Sequence, residues 1–180
     1  VTGKRAVGVT LADGRSFRAP WVCSGAGYLN TVRQLLDPEV AQAAGMLGQS
    51  ERIPRSMSHV CAYLGFKQSS TALKMPRSNY WLYTDDHDHD AVVARYLADR
   101  SAPLPVTYIS FPSAKDPDWD RRYPDRSTVE IITLAPFEWF AQWDGTRWMK
   151  RGDEYLTFKA EFTQRLLSEL YRMEPQLEGQ

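Results

Sequence analysis

Met57-Ser58-His59-Val60-Cys61-Ala62-Tyr63-Leu64-Gly65-Phe66 is the stretch on which the fold turns. Val60, Ala62, Leu64 and Phe66 fall on one side; Met57, His59, Cys61 and Tyr63 fall on the other. A period of two belongs to a β-strand. Neither side is polar throughout, so a strand covered on both faces is expected. Three further segments share that patterning: residues 80–84, rich in aromatic rings, 106–111 and 128–134. Two stretches follow the helical period instead. Residues 90–98 form the shorter one. Asp153–Met173 sets Tyr155, Phe158, Phe162, Leu166, Leu170 and Met173 three or four apart, with Pro175 just beyond. That spacing makes an amphipathic helix with a marked stop. Residues 112–126, loaded with Pro, Asp and Arg, read as a long loop. Strands and helices without strict βαβ alternation predict an α+β domain, its sheet mixed and largely antiparallel with helices packed on it.

The first fifty residues are built differently. Residues 6–10 and 15–19 predict two short strands around Asp13-Gly14, a strong hairpin signal. Residues 21–23 predict a third strand, ending in Ser24-Gly25-Ala26-Gly27. A helix over residues 29–36 follows, and Pro38 opens another toward Met46.

Composition narrows the function classes. The chain has 180 residues, of which 43% are hydrophobic and 24% charged, so it folds rather than remaining a solvated tail. Its 22 basic and 22 acidic side chains cancel, which excludes a strongly basic nucleic-acid binder. No apolar run approaches the roughly 20 residues of a membrane span, and the first residues, Val-Thr-Gly-Lys-Arg, show no signal peptide. A location in the cytoplasm or peripheral to a membrane is expected. Cys23 and Cys61, 38 positions apart, read as two small buried residues in a reducing compartment.

Few residues announce chemistry. Asp85-Asp86-His87-Asp88-His89-Asp90 has metal-ligand types, yet consecutive residues cannot all converge on one ion. Before a helix such a run reads as a capping loop. Ser24-Gly25-Ala26-Gly27 is either a strand-to-helix turn or a dinucleotide contact; Asn30 stands where a third glycine would be. His59 reads as a hydrogen-bonded sheet residue. The aromatic runs 80–83 and 137–143 are either core or the wall of an apolar pocket. Signatures of acyl transfer, zinc proteolysis and nucleotide hydrolysis are missing.

One run is more specific: Phe111-Pro112-Ser113-Ala114-Lys115-Asp116-Pro117, followed by Trp119, Arg126-Ser127-Thr128 and Glu138-Trp139-Phe140. Lys150-Arg151-Gly152-Asp153, Tyr155, Lys159 and the ending Pro175-Gln176-Leu177-Glu178-Gly179 continue it, as do Ser78-Asn79-Tyr80 and Val22 to Gly27. Over nearly its whole length the chain resembles the retinol saturases, within the phytoene desaturase and carotenoid isomerase family of FAD-dependent oxidoreductases. The resemblance implies a two-part flavoprotein that reduces or desaturates carbon–carbon double bonds of a polyene lipid, retinoid or carotenoid. The family's opening G-x-G-x-x-G is not present, and the chain does not begin with Met. An internal fragment is therefore expected, inactive alone. Residues 1–35 would be the edge of the FAD-binding domain and 36–180 an incomplete substrate-binding domain. The resemblance places Ser24, Gly25 and Ala26 toward FAD, and Tyr80, Tyr83, Phe137, Trp139 and Phe140 in the polyene cavity. It supplies no catalytic acid, base or nucleophile and no metal ligand. Implied partners are the apolar substrate, the missing FAD-binding domain and a membrane surface. The competing expectations are a stand-alone apolar-ligand-binding module without redox activity, and a scaffold whose aromatics are all core.

Overall fold

The computed structural model describes residues 1–53 and 56–180. They form two compact units, Val1–Ser56 and Met57–Gln180.

In the first unit, β1 (Gly8–Thr10) and β2 (Ser16–Arg18) make an antiparallel hairpin. Gly14 turns it with φ 88°, and its N–H donates to the Leu11 carbonyl at 2.9 Å. The ladder is so close that a Cβ on Gly8 would lie 2.1 Å from the Phe17 carbonyl oxygen. The third strand expected over residues 21–23 does not form: the hairpin stays two-stranded, and among the described residues no strand pairs with that segment. A short helix follows, α1 (Tyr28–Asn30) running into π-helical turns over Thr31–Leu35. Next, α2 (Pro38–Ala43) starts with Pro at its first turn, and the Asp37 carboxylate accepts from the Glu39 N–H at 3.1 Å. Gly45, in the left-handed region at φ 70°, separates it from α3 (Met46–Arg52). The Tyr28 hydroxyl donates to Gln49 at 2.9 Å, and Arg33 reaches the Ser50 carbonyl at 3.4 Å. These bonds tie α3 to the preceding helices within the first unit.

The second unit is the α+β body. Its strands are β3 (His59–Phe66), β4 (Tyr80–Tyr83), β5 (Val106–Ser110) and β6 (Ser127–Leu134), in the spatial order β3-β6-β5-β4. Every pairing is antiparallel. Before β5, α4 (His89–Ala98) begins at Asp88, whose carboxylate accepts from the Ala91 N–H at 3.0 Å. Asp86 pairs with Arg95 at 2.7 Å. The Asp88 N–H and the Arg95 guanidinium both hold the Asp86 carboxyl below the usual range. The acidic run thus serves as a cap.

The expected loop over residues 112–126 contains two helical turns, α5 (Pro112–Lys115) and α6 (Trp119–Arg122). Pro112 suits the first turn of a helix, where its missing N–H costs nothing. The Asp116 carboxylate accepts from the Asp118 N–H at 2.9 Å and pairs with Arg122, while the Trp119 indole donates to the Arg126 carbonyl at 2.8 Å. Local side-chain bonds therefore order a segment whose composition reads as irregular. Buried Ser113 fastens it to the sheet: its Oγ accepts from the Thr128 N–H at 2.9 Å and lies 2.8 Å from Ser70 Oγ.

Register decides which side chains share a face. Val60, Ala62, Leu64 and Phe66 stand opposite Thr133, Ile131, Val129 and Ser127, and Ile109 continues the Ile131 row. On this side Ala62, Phe66, Ile109, Val129 and Ile131 are buried with Leu166 and Leu170 of α7 (Asp153–Met173). Each large apolar side chain buried there stabilises the fold by about 1.5–3 kcal/mol. A second cluster joins Ala135, Phe158 and Phe162 to Trp139, Phe140 and Trp143, which lie on a 3-10 helix, Phe137–Trp143.

Candidate functional site

The other face of the four-stranded sheet is the one that α7 does not pack against, and it is partly open. It carries His59, Cys61 and Tyr63 of β3, Leu134, Ile132 and Glu130 of β6, Val106, Tyr108 and Ser110 of β5, and Trp81 and Tyr83 of β4. A face covered on both sides was expected for β3. Instead Tyr63 and His59 are exposed, because α7 packs against only one side.

The register arranges this face in rows running across the strands. The middle row is Cys61, Ile132, Tyr108 and Trp81. Towards one end lie His59, Leu134, Val106 and Tyr83; towards the other lie Tyr63, Glu130 and Ser110. Apart from His59 the first two rows are apolar or aromatic, while the third adds Glu130 and Ser110 beside Tyr63. A groove of about 450 Å³ is lined by residues of the first two rows together with Thr133. Trp81 and Tyr108 are in ring contact, with centroids 4.7 Å apart, yet Trp81 remains 61% exposed. Tyr83 meets the His89 ring at 4.9 Å. At the polar end Lys115 donates to Ser110 Oγ at 2.9 Å and to Asn79. A hydrogen bond with Cys61 is the main cause raising the Tyr63 phenol above its ordinary value.

The side chains expected in a ligand cavity are placed apart. Tyr83 lies on the open face. Tyr80, three residues earlier, lies on the covered face, where its ring meets Phe111 at 5.7 Å and its hydroxyl donates to the Glu174 carboxylate. That bond, with burial, pushes the Tyr80 phenol up to about 12. Trp139 and Phe140 belong to the aromatic cluster against α7: Trp139 meets Tyr96 at 5.2 Å and Phe140 meets Phe158 at 5.0 Å. Phe137 starts that 3-10 helix and is partly exposed. Sequence reading weighed Trp81 only within the aromatic run 80–83 and passed over Tyr108 and Ile132, since each strand alternates by itself and only register joins them.

Ser24, Gly25 and Ala26 lie in the first unit, exposed, just before α1. Ser24 Oγ is 2.5 Å from Thr31 Oγ1, and the Asn30 amide donates to the Ala26 carbonyl at 3.0 Å. A Cβ added at Gly25 or Gly27 would meet nothing within 4 Å, so the backbone here borders open space. Of the cysteines, Cys23 is exposed rather than buried, and Cys61 is half-buried on the open face; both are free thiols. Cys23 is uncovered because its segment joins no sheet.

Nearly the whole chain aligns with curated proteins of one kind. All-trans-retinol 13,14-reductase of Rattus norvegicus is 34% identical over 182 residues, covering 97% of this chain and 30% of that protein. The enzyme of that name from Homo sapiens is 31% identical over the same shares. This chain is a homologue of the all-trans-retinol 13,14-reductases. It spans about 30% of the length of these reductases. A Danio rerio relative named inactive all-trans-retinol 13,14-reductase is 29% identical over 91% of this chain. No family model matches, and no solved structure does. Among the described residues, no helix is long and apolar enough to cross a membrane.

Proposed function

We propose that this chain supplies the apolar wall for a polyene lipid in an FAD-dependent retinoid oxidoreductase, one that reduces or desaturates carbon–carbon double bonds. The observation that carries the reading is the partly open sheet face, with Trp81, Tyr108, Ile132 and Val106 around one groove. Similarity to the retinol reductases supports a retinoid as the ligand class. FAD would take up or deliver the hydride at a double bond. This chain's own part is to hold the polyene flat against the sheet and to exclude water there. Ser24, Gly25 and Ala26 would approach the flavin through their open backbone.

Titration with all-trans-retinol, followed by quenching of Trp fluorescence, tests the wall. Saturable binding is expected, weakened about tenfold by Trp81→Ser, since the lost ring contact corresponds to roughly 1.4 kcal/mol. Binding unchanged in Trp81→Ser would remove the open face from the reading. Equilibrium dialysis of the chain alone against FAD should show no tight stoichiometric complex; finding one would contradict a flavin site completed elsewhere. A second reading, ligand binding without redox turnover, is favoured by the relative named inactive. It predicts retinol binding with no retinoid turnover when the chain is joined to a flavin-loaded partner domain.

A further inference from the structure

Away from the open sheet face, the connection into α7 carries a second exposed apolar feature. Arg147, Trp148, Met149 and Lys150 form a tight turn, closed by the Lys150 N–H donating to the Arg147 carbonyl at 3.0 Å. Its two corners are Trp148, 76% exposed, and Met149, 80% exposed. Corners of tight turns ordinarily hold Gly, Asn, Asp, Pro or Ser, for backbone reasons. Met149 also sits at φ 59°, in the left-handed region that costs a long side chain about 1 kcal/mol or more. A strained backbone thus holds two large apolar side chains in water, with no packing in return. Leu156, on the first turns of α7, is exposed as well.

The charges around the turn have one sign. From Gly145 to Gly152 the cations are Arg147, Lys150 and Arg151, and no acidic residue intervenes. Asp144 stands before this stretch, and Asp153 and Glu154 after it, in the first turn of α7 where the helix dipole favours them. Arg151 is held back by the Tyr155 hydroxyl at 2.8 Å, which leaves Arg147 and Lys150 beside the tip. An indole and a thioether raised between cations match a bilayer interface: the rings settle at headgroup depth and the cations meet anionic phosphates.

We infer that the Arg147–Lys150 turn is a lipid-insertion tip that docks this protein on an anionic phospholipid surface. The inference does not rest on the retinoid reading, since the turn lies outside the sheet groove. Co-sedimentation of the full chain with vesicles of equimolar phosphatidylcholine and phosphatidylglycerol tests it. Binding is expected, and Trp148→Ser with Met149→Ser should weaken it about tenfold or more. Arg147→Gln with Lys150→Gln should weaken it about 25-fold on these vesicles, from roughly a factor of five per cation, and change nothing on pure phosphatidylcholine. Met149→Gly relieves the left-handed residue, so it should melt no lower than wild type and still bind vesicles less well. Trp81→Ser should bind vesicles as wild type does. Undiminished binding in the Trp148/Met149 variant, loss in Trp81→Ser alone, or no vesicle binding by wild type overturns the inference. So does Trp148-dependent self-association without vesicle binding, which would make the turn a contact between copies.

Discussion

Phe162→Ala is the substitution that most directly tests how the aromatic residues are divided between core and ligand wall. Phe162 is 2% exposed, in the middle of α7. Its ring lies 5.4 Å from Phe158, 6.1 Å from Trp139 and 6.2 Å from Phe140. Removing it takes away the buried ring and leaves a void its rigid neighbours cannot fill, a loss of about 3–5 kcal/mol. Domains of this kind are stable by only ~5–15 kcal/mol, so the loss is a large share of the whole. For a chain of this length the melting temperature should fall by roughly 6–20 °C. Urea unfolding followed by far-ultraviolet circular dichroism measures the free energy without relying on the nearby indoles. Leu156→Ala serves as the internal comparison: it lies on the same helix but is 60% exposed, so its effect should stay within about 0.5 kcal/mol. A cost below about 1 kcal/mol for Phe162→Ala, or one equal to that of Leu156→Ala, would refute the aromatic cluster as core. Trp139→Ala then assigns its partner ring. As core, it should lower stability and leave retinol affinity per folded molecule unchanged.

Three further outcomes follow from named contacts. The folded Tyr80 phenol lies near 12, above its ordinary 10.0, so its stabilising contribution is whole below pH 10 and is lost as pH rises toward 12. Tyr80→Phe should therefore show the smaller stability loss across that window, judged by urea midpoints; equal losses would remove the Glu174 bond as the cause. Ser113→Ala leaves the Thr128 N–H and the Ser70 hydroxyl without their buried partner, and should cost about 1–3 kcal/mol in the same assay. Asp88→Ala removes the cap of α4 and should cost about 1 kcal/mol, with an unaltered cost for Ser113→Ala in the double variant.

Much of the fold is legible because local periodicity records it. Asp153–Met173 is read to its last residue, since six apolar side chains at helical spacing leave no other conformation that buries them together. The strands of the second unit are found within a residue or two, by alternation alone. Residues 21–23 show the limit. They have strand composition, but a strand exists only where a neighbour pairs with it, and among the described residues none does. The turns α5 and α6 show the opposite limit, because side-chain bonds such as that of Trp119 to Arg126 lie outside any hydrophobic pattern.

The candidate site depends on what periodicity cannot carry. An alternating strand has two faces, and nothing within β3 states which one will meet α7. The docking of α7 makes that choice, and the sheet order β3-β6-β5-β4 places Cys61, Ile132, Tyr108 and Trp81 in one row of the opposite face although they come from four separate segments. Tyr80 and Tyr83 are neighbours in sequence and both aromatic, yet an odd separation along a strand sends them to opposite faces. Trp139 and Phe140 look equally fit for a pocket until the 3-10 helix lays them against Phe158 and Phe162. The sequence by itself determined the strands of the second unit, the amphipathic helix and the kinship with the retinol reductases, all of which are encoded locally or residue by residue. Only the tertiary structure decided which apolar surface is core and which stays open, because that depends on pairings between segments far apart in the chain.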